Sequence, residues 1–148
     1  MTRTMTLVTV LFRWLLVIMF VVAGANHFRV PTIYLPVMPP YLPWHEWLIA
    51  ISGFAEIAGG IGVAIPATRR AAGWGLMALL VAIFPANLHM AVNQIQLPGI
   101  HLTTLELWLR LPLQVILMVW VWWVAIHPSP QGERLKGGTP GRGVRRNQ

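Results

Sequence analysis

Four stretches of this chain are too long and too apolar to belong to a water-soluble domain. They run over Met5–Ala25, Glu46–Ile65, Ala71–Val92 and Thr104–Ile126. A bilayer core of about 30 Å takes about 20 apolar residues in helical form. A barrel strand takes only about half as many in strict alternation, and none of the four alternates in that way. The chain is 56% hydrophobic and 10% charged, where soluble domains carry about 25% charged residues. The expected fold is therefore all-α: a four-transmembrane-helix bundle over residues 1–127, followed by a disordered basic tail over 128–148 rich in Gly, Pro and Arg.

The basic residues orient the bundle. With four spans, the N-terminus, the second connection and the tail share one side. That side holds Arg3, Arg69, Arg70, Arg134, Lys136, Arg142, Arg145 and Arg146, whereas the opposite connections hold only Arg29. By the positive-inside bias both termini should be cytoplasmic. The same distribution accounts for the net charge of +7 as a topology signal, so nucleic acid is not an expected partner. Membrane lipid is, and basic residues of the tail are suited to anionic headgroups. Ala23-Gly24-Ala25 has the small residues of a signal-peptidase site. The apolar run already under way at Thr6–Phe12 argues instead that the first span is retained. No Cys is present, which removes thiol–disulfide chemistry and thiolate metal sites from the functions this chain performs itself.

The first connection, from about Phe28 to Pro43, contains Pro31, Pro36, Pro39, Pro40 and Pro43. So many missing donors exclude a regular helix there. Tyr34, Met38 and Tyr41 make the connection an apolar cap.

Polar residues inside the spans carry the functional reading, because a charge near the bilayer centre costs ~2.5–3.5 kcal/mol even on the lenient insertion scale. Arg13, Glu56 and Arg110 are the three charged residues well inside spans. At about 1.5 Å rise per residue, Glu56 lies near the midplane, and either arginine is at a depth from which it could meet Glu56. Helical phase groups Thr6, Thr9, Arg13, Phe20, Gly24 and His27 on one stripe of the first span, and Ser52, Gly53, Glu56, Gly59 and Gly60 on one face of the second. In the fourth, Glu106, Arg110 and Gln114 follow at i, i+4 spacing, which lets Glu106 neutralise Arg110. In the third, Pro85 is expected to kink the helix. There His89 continues the small-residue face of Ala71, Gly75, Ala78, Ala82 and Asn93, so His89 is expected inward and Asn87 away from it. His27 and His89 at similar depth could hold haem, or a metal together with His101 and Glu106, but no local ligand spacing supports either; no metal site is expected.

The chain resembles the DoxX family of small four-span membrane proteins. The matching stretches are Ala23-Gly24-x-x-His27-Phe28-x-x-Pro31, Met38-Pro39-x-x-Leu42-Pro43, Ser52-Gly53-x-x-Glu56-Ile57-x-Gly59-Gly60-x-Gly62, Pro66-x-x-Arg69 and Phe84-Pro85-Ala86-Asn87. The resemblance covers about Arg13 to Ile126. It implies association with membrane oxidoreduction, since the family takes its name from a subunit linked to thiosulfate:quinone oxidoreduction, or an assembly role of the kind attributed to animal relatives. It carries over no catalytic residue set beyond the Glu56 element. Two functions are thereby expected to compete: a redox-associated subunit holding a quinone-like apolar ligand, and a non-catalytic scaffold, assembly factor or lipid-binding module with protein partners in a membrane complex. A solute transporter is a third, and would require the chain to form a homo-oligomer.

Overall fold

A computed structural model describes residues 2–127. The tail expected over 128–148 lies outside the described residues. Four helices, α1 (Thr2–Arg29), α2 (His45–Ala64), α3 (Arg69–Val92) and α4 (Thr104–Val121), follow one another in a bundle, and α4 runs on into a π-helical segment, Trp122–Ile126. All four are long and apolar enough to cross a membrane. Their outward faces are what lipid would cover: Phe54, for example, is 68% exposed and Leu11 67%.

Proline sets most of the boundaries. A residue before proline is driven out of the α region. Val30, before Pro31, takes φ −139°, which stops α1 at Arg29, four residues beyond the expected end of the span. Ile65, before Pro66, takes φ −86° and ψ 120° and ends α2 in the same way. The proline-rich connection is not wholly irregular. It contains two single 3₁₀ turns, Pro31–Ile33 and Leu35–Val37, each with its proline in the first turn, where the missing N–H costs nothing. Helix α3 passes through Pro85 and α4 through Pro112 without ending.

Helix ends are closed by side chains. The Thr68 hydroxyl donates to the carbonyl of Gly62, and the Arg69 Nε–H donates to that of Val63, so the start of α3 satisfies the orphan acceptors at the end of α2. At the end of α3, Gln94 adopts φ 53° and the Ile95 amide donates back to Met90, a Schellman closure made without glycine. Ile95 packs against the buried cluster that contains Met90, a contact that often accompanies this motif.

Neighbours in sequence are neighbours in space: α1 packs on α2, α2 on α3 and α3 on α4, while α1 also meets the π-helical end of α4. The main core, built on Leu16, Val17, Phe20, Val63, Leu76, Leu80, Val121, Val124, Ala125 and Ile126, fills the half of the bundle nearest the termini. A smaller cluster of Met90, Ala91 and Leu107 lies beneath the connections at the other end, here termed the loop end. The buried face of α3 is Gly73, Leu76, Leu80, Met90 and Ala91. Its small-residue stripe of Ala71, Gly75, Ala78 and Ala82 is exposed, the reverse of the expectation. Small residues facing lipid cost nothing there, so size alone did not mark the inward face.

Candidate functional site: a buried imidazole–carboxyl pair

The site is built by the crossing of α1 and α2. These antiparallel helices touch backbone to backbone. A Cβ on Gly24 would lie 2.5 Å from the Gly53 carbonyl oxygen, and one on Gly53 would lie 2.6 Å from His27 Cβ. A second close approach sets Gly60 against the Val17 carbonyl oxygen and Phe20. These contacts fix the register, pairing Gly24 with Gly53 and Val17 with Gly60. Side chains lean toward the N-terminus of their own helix. In antiparallel neighbours, His27, one turn beyond Gly24, and Glu56, one turn beyond Gly53, therefore lean toward each other.

His27 Nε2 lies 3.7 Å from Glu56 Oε2. Glu56 is only 7% exposed, and its Oε2 has no hydrogen-bond partner. The opposite ring nitrogen of His27 donates to the Ile49 carbonyl oxygen at 3.0 Å, with Ser52 Oγ 3.2 Å away. A carbonyl only accepts, so Nδ1 carries the hydrogen and the tautomer is set by the backbone of α2. Nε2 then faces the carboxyl either as a lone pair or as an N–H. A lone pair opposite a carboxylate would repel. The stable arrangements hold one proton between the two groups: carboxylic acid with neutral imidazole, or carboxylate with imidazolium. Both are net neutral, which is the condition for burying ionisable groups at this depth.

Tyr34, in the connection after α1, stacks on the imidazole with ring centroids 4.0 Å apart and planes 26° from parallel. Burial, and then the nearby Glu56 charge, push the Tyr34 phenol above its ordinary value of 10.0. The phenol ring covers His27 from the loop end, while the apolar core closes the side toward the termini.

The expected partnership of Glu56 with Arg13 or Arg110 is not what the structure contains. Among the described residues Glu56 pairs with His27. The glycine register sets Glu56 level with Val21, eight residues or about 12 Å along α1 from Arg13. Arg13 instead donates from Nε to the Val124 carbonyl at 3.2 Å, within the π-helical segment. Arg110 lies on α4, which packs on α3 rather than α2. Glu106 is not a member of the site either. It is exposed and closes a capping box with Thr103, accepting from the Thr103 N–H and hydroxyl at 2.7 Å each. The Thr103-x-x-Glu106 spacing before an apolar run is the sequence signature of that motif.

The roles expected of Asn87 and His89 are exchanged. Asn87 turns inward and donates to Gln114 Oε1 at 3.0 Å, and buried Gln114 in turn donates to the Leu80 carbonyl. His89 bonds to exposed Asn93 at 2.8 Å beside a shallow apolar groove of Tyr41, Phe84, Pro85, Leu88 and Val92. His27 and His89 thus serve different sites, and among the described residues no group of three ligating side chains gathers for a metal. Two residues of the pair's surroundings carried no expectation as partners: Tyr34, whose stacking depends on how a loop closes, and Ile49, whose backbone alone is used.

A family model described as a domain of unknown function, DUF8561, matches residues 16–125, about three quarters of the chain. The chain belongs to this family. No curated protein and no solved structure matches it. The DUF8561 segment contains His27, Tyr34, Ser52, Glu56, Asn87 and Gln114, and leaves Arg13 outside.

Proposed function

We propose that this DUF8561 chain is a membrane subunit of a redox system that holds the head group of a quinone-like apolar ligand at the Glu56–His27 pair and moves a proton at that point. The observation that carries the reading is a carboxyl oxygen without a hydrogen-bond partner, Glu56 Oε2, buried in a membrane-length helix 3.7 Å from an imidazole nitrogen. That gap is too long for a direct hydrogen bond, so the oxygen retains capacity for a ligand oxygen or a water. The resemblance to the DoxX family favours a redox setting.

The chain itself contains no thiol, so electrons would come from a partner protein in the membrane. A quinone supplies the two-electron acceptor chemistry. The pair's own part is acid–base. It gives its single shared proton to a ligand oxygen as negative charge develops there, and reloads from the loop end past Tyr34. Ile49 and Ser52 hold His27 so that Nε2, not Nδ1, faces the exchange. By the basic-residue bias the end bearing the termini faces the cytoplasm, and the pair is then nearer the opposite surface.

The test is to extract the full chain with its surrounding lipid and count quinone molecules per chain by mass spectrometry. Wild type should hold about one, and Glu56→Gln should fall to the content of bulk lipid. Bulk content in both would refute the reading. The pair would then stand as a register device for the tight α1–α2 crossing, which is what a scaffold or assembly role would use.

A further inference from the structure

At the end of the bundle that bears the termini, positive charge gathers with no carboxylate among the described residues to balance it. Arg13 lies six residues inside the span that begins at Leu7, about 9 Å along the helix. Its Nε–H is tied to the Val124 carbonyl oxygen at 3.2 Å. Arg69, the first residue of α3, is tied in the same way to the Val63 carbonyl oxygen at 3.1 Å. Gly73, one turn after Arg69 on the same face, packs against Ala125 and Ile126, so the π-helical segment that receives Arg13 also adjoins the start of α3. The two accepting carbonyls belong to Val124 and Val63, members of one core cluster, so both arginines are anchored at the same end of the bundle. Exposed Arg70 adds a third charge beside them. The glutamates among the described residues are elsewhere: Glu46 and Glu106 at the loop end, Glu56 at His27. None comes within 4.0 Å of either arginine.

We propose that Arg13 and Arg69 form a binding site for the phosphate of an anionic phospholipid in the leaflet at that end. Each guanidinium spends its Nε–H on a main-chain carbonyl. That bond fixes the plane of the group and leaves the two terminal nitrogens for a phosphate, the oxyanion an arginine fork fits best. An arginine this far inside a span must find a counter-charge or reach the interface, and a lipid phosphate lies where a long side chain from this depth emerges. Headgroup selectivity follows from charge. A zwitterionic lipid would bring its own ammonium toward two arginines, whereas an anionic headgroup adds no cation. The site is at the opposite end of the bundle from Tyr34 and independent of any ligand at Glu56.

The experiment reconstitutes the full chain in discs of equimolar phosphatidylcholine and phosphatidylglycerol, then releases it into mild detergent and counts the retained lipids by native mass spectrometry. Wild type should retain phosphatidylglycerol over phosphatidylcholine. Arg13→Gln and Arg69→Gln should each reduce that preference about fivefold, the weight of one basic residue at a membrane surface. Arg29→Gln, at the loop end, should leave it unchanged, and enrichment by the basic tail cancels because every variant keeps the tail. Should Arg13→Gln not fold, Arg69→Gln decides alone, since that side chain is partly exposed. Equal retention of the two lipids by wild type, or a preference unmoved in the arginine variants, would overturn the proposal. So would loss of the retained lipid to millimolar inorganic phosphate, which would reassign the arginines to a free phosphate.

Discussion

The α1–α2 crossing makes a quantitative demand on Gly24. A methyl group there would lie 2.5 Å from the Gly53 carbonyl oxygen, 2.8 Å from Ile57 Cγ1 and 3.0 Å from Glu56 Cβ. The first of these is backbone and cannot turn aside. Ordinary contact begins at 3.4 Å, so Gly24→Ala must part the helices by 3.4 − 2.5, or 0.9 Å. Strain of this kind costs about 1–3 kcal/mol in a packed interior. Against it stands the gain of about 1 kcal/mol that alanine brings to a helix over glycine. Gly75→Ala supplies the reference, because a methyl group there meets nothing within 4 Å. It gains the propensity and suffers no strain.

The two variants should therefore differ by about 1–3 kcal/mol in stability, with Gly24→Ala the weaker and Gly75→Ala equal to or slightly firmer than wild type. Dodecyl-sulfate unfolding of the purified chain in mixed micelles, followed by tryptophan fluorescence, measures the difference. Equal stabilities, or a Gly24→Ala variant more stable than wild type, would refute the backbone contact and with it the register that brings His27 to Glu56.

Gln114→Leu should destabilise the chain by about 0.6–2 kcal/mol, since interhelical hydrogen bonds in membranes are worth about that much and Asn87 loses its acceptor; in a double-mutant cycle Asn87→Leu should then add little, whereas full additivity would show the two side chains to be uncoupled. The Tyr34 phenol, read by ultraviolet absorbance in a Tyr41→Phe background, should ionise above pH 10.0, first because it is buried and second because phenolate is repelled by Glu56. The folded state therefore keeps this proton longer than the unfolded state, so its contribution to stability is present below about pH 10 and is lost as pH rises through the folded value; Glu56→Gln should bring the titration part-way back, and an unshifted phenol would place Tyr34 away from the pair.

The sequence carried the spans and the stripes because both are periodic properties of single helices. His27, Ser52 and Glu56 each fall on the polar stripe assigned to them, and Gly24, Gly53 and Gly60 share those stripes. Single-helix periodicity does not carry register between helices. Depth arithmetic placed both arginines within reach of Glu56, yet it was the contacts at Gly24, Gly53 and Gly60 that decided which residue is level with it. Those glycines were visible and marked the faces, but a seven-residue glycine spacing tells where two backbones touch only once the opposing helix is known. Phase failed on α3 for another reason. Lipid accepts Ala and Gly on an outward face as readily as Leu, so the small-residue rule that held for α2 misdirected His89 and hid the Asn87–Gln114 bond.

The exchange of an arginine for a histidine as the partner of Glu56 alters what the site can do. A guanidinium keeps its proton under all ordinary conditions. A Glu–Arg pair would be a fixed dipole: excellent for holding two helices in place, with no proton to move. An imidazole gives its proton up within the physiological range, and the pair with Glu56 stays neutral whichever partner holds the proton. Neutrality with the proton on either partner is what lets a titratable pair rest buried in a membrane-length helix. Of the two arginines expected to meet Glu56, Arg13 is tied to the Val124 carbonyl instead, and Arg110 stays on α4, which packs on α3. Arg13 and Arg69 stand toward one end of the bundle, and the titratable pair lies toward the other, beneath Tyr34.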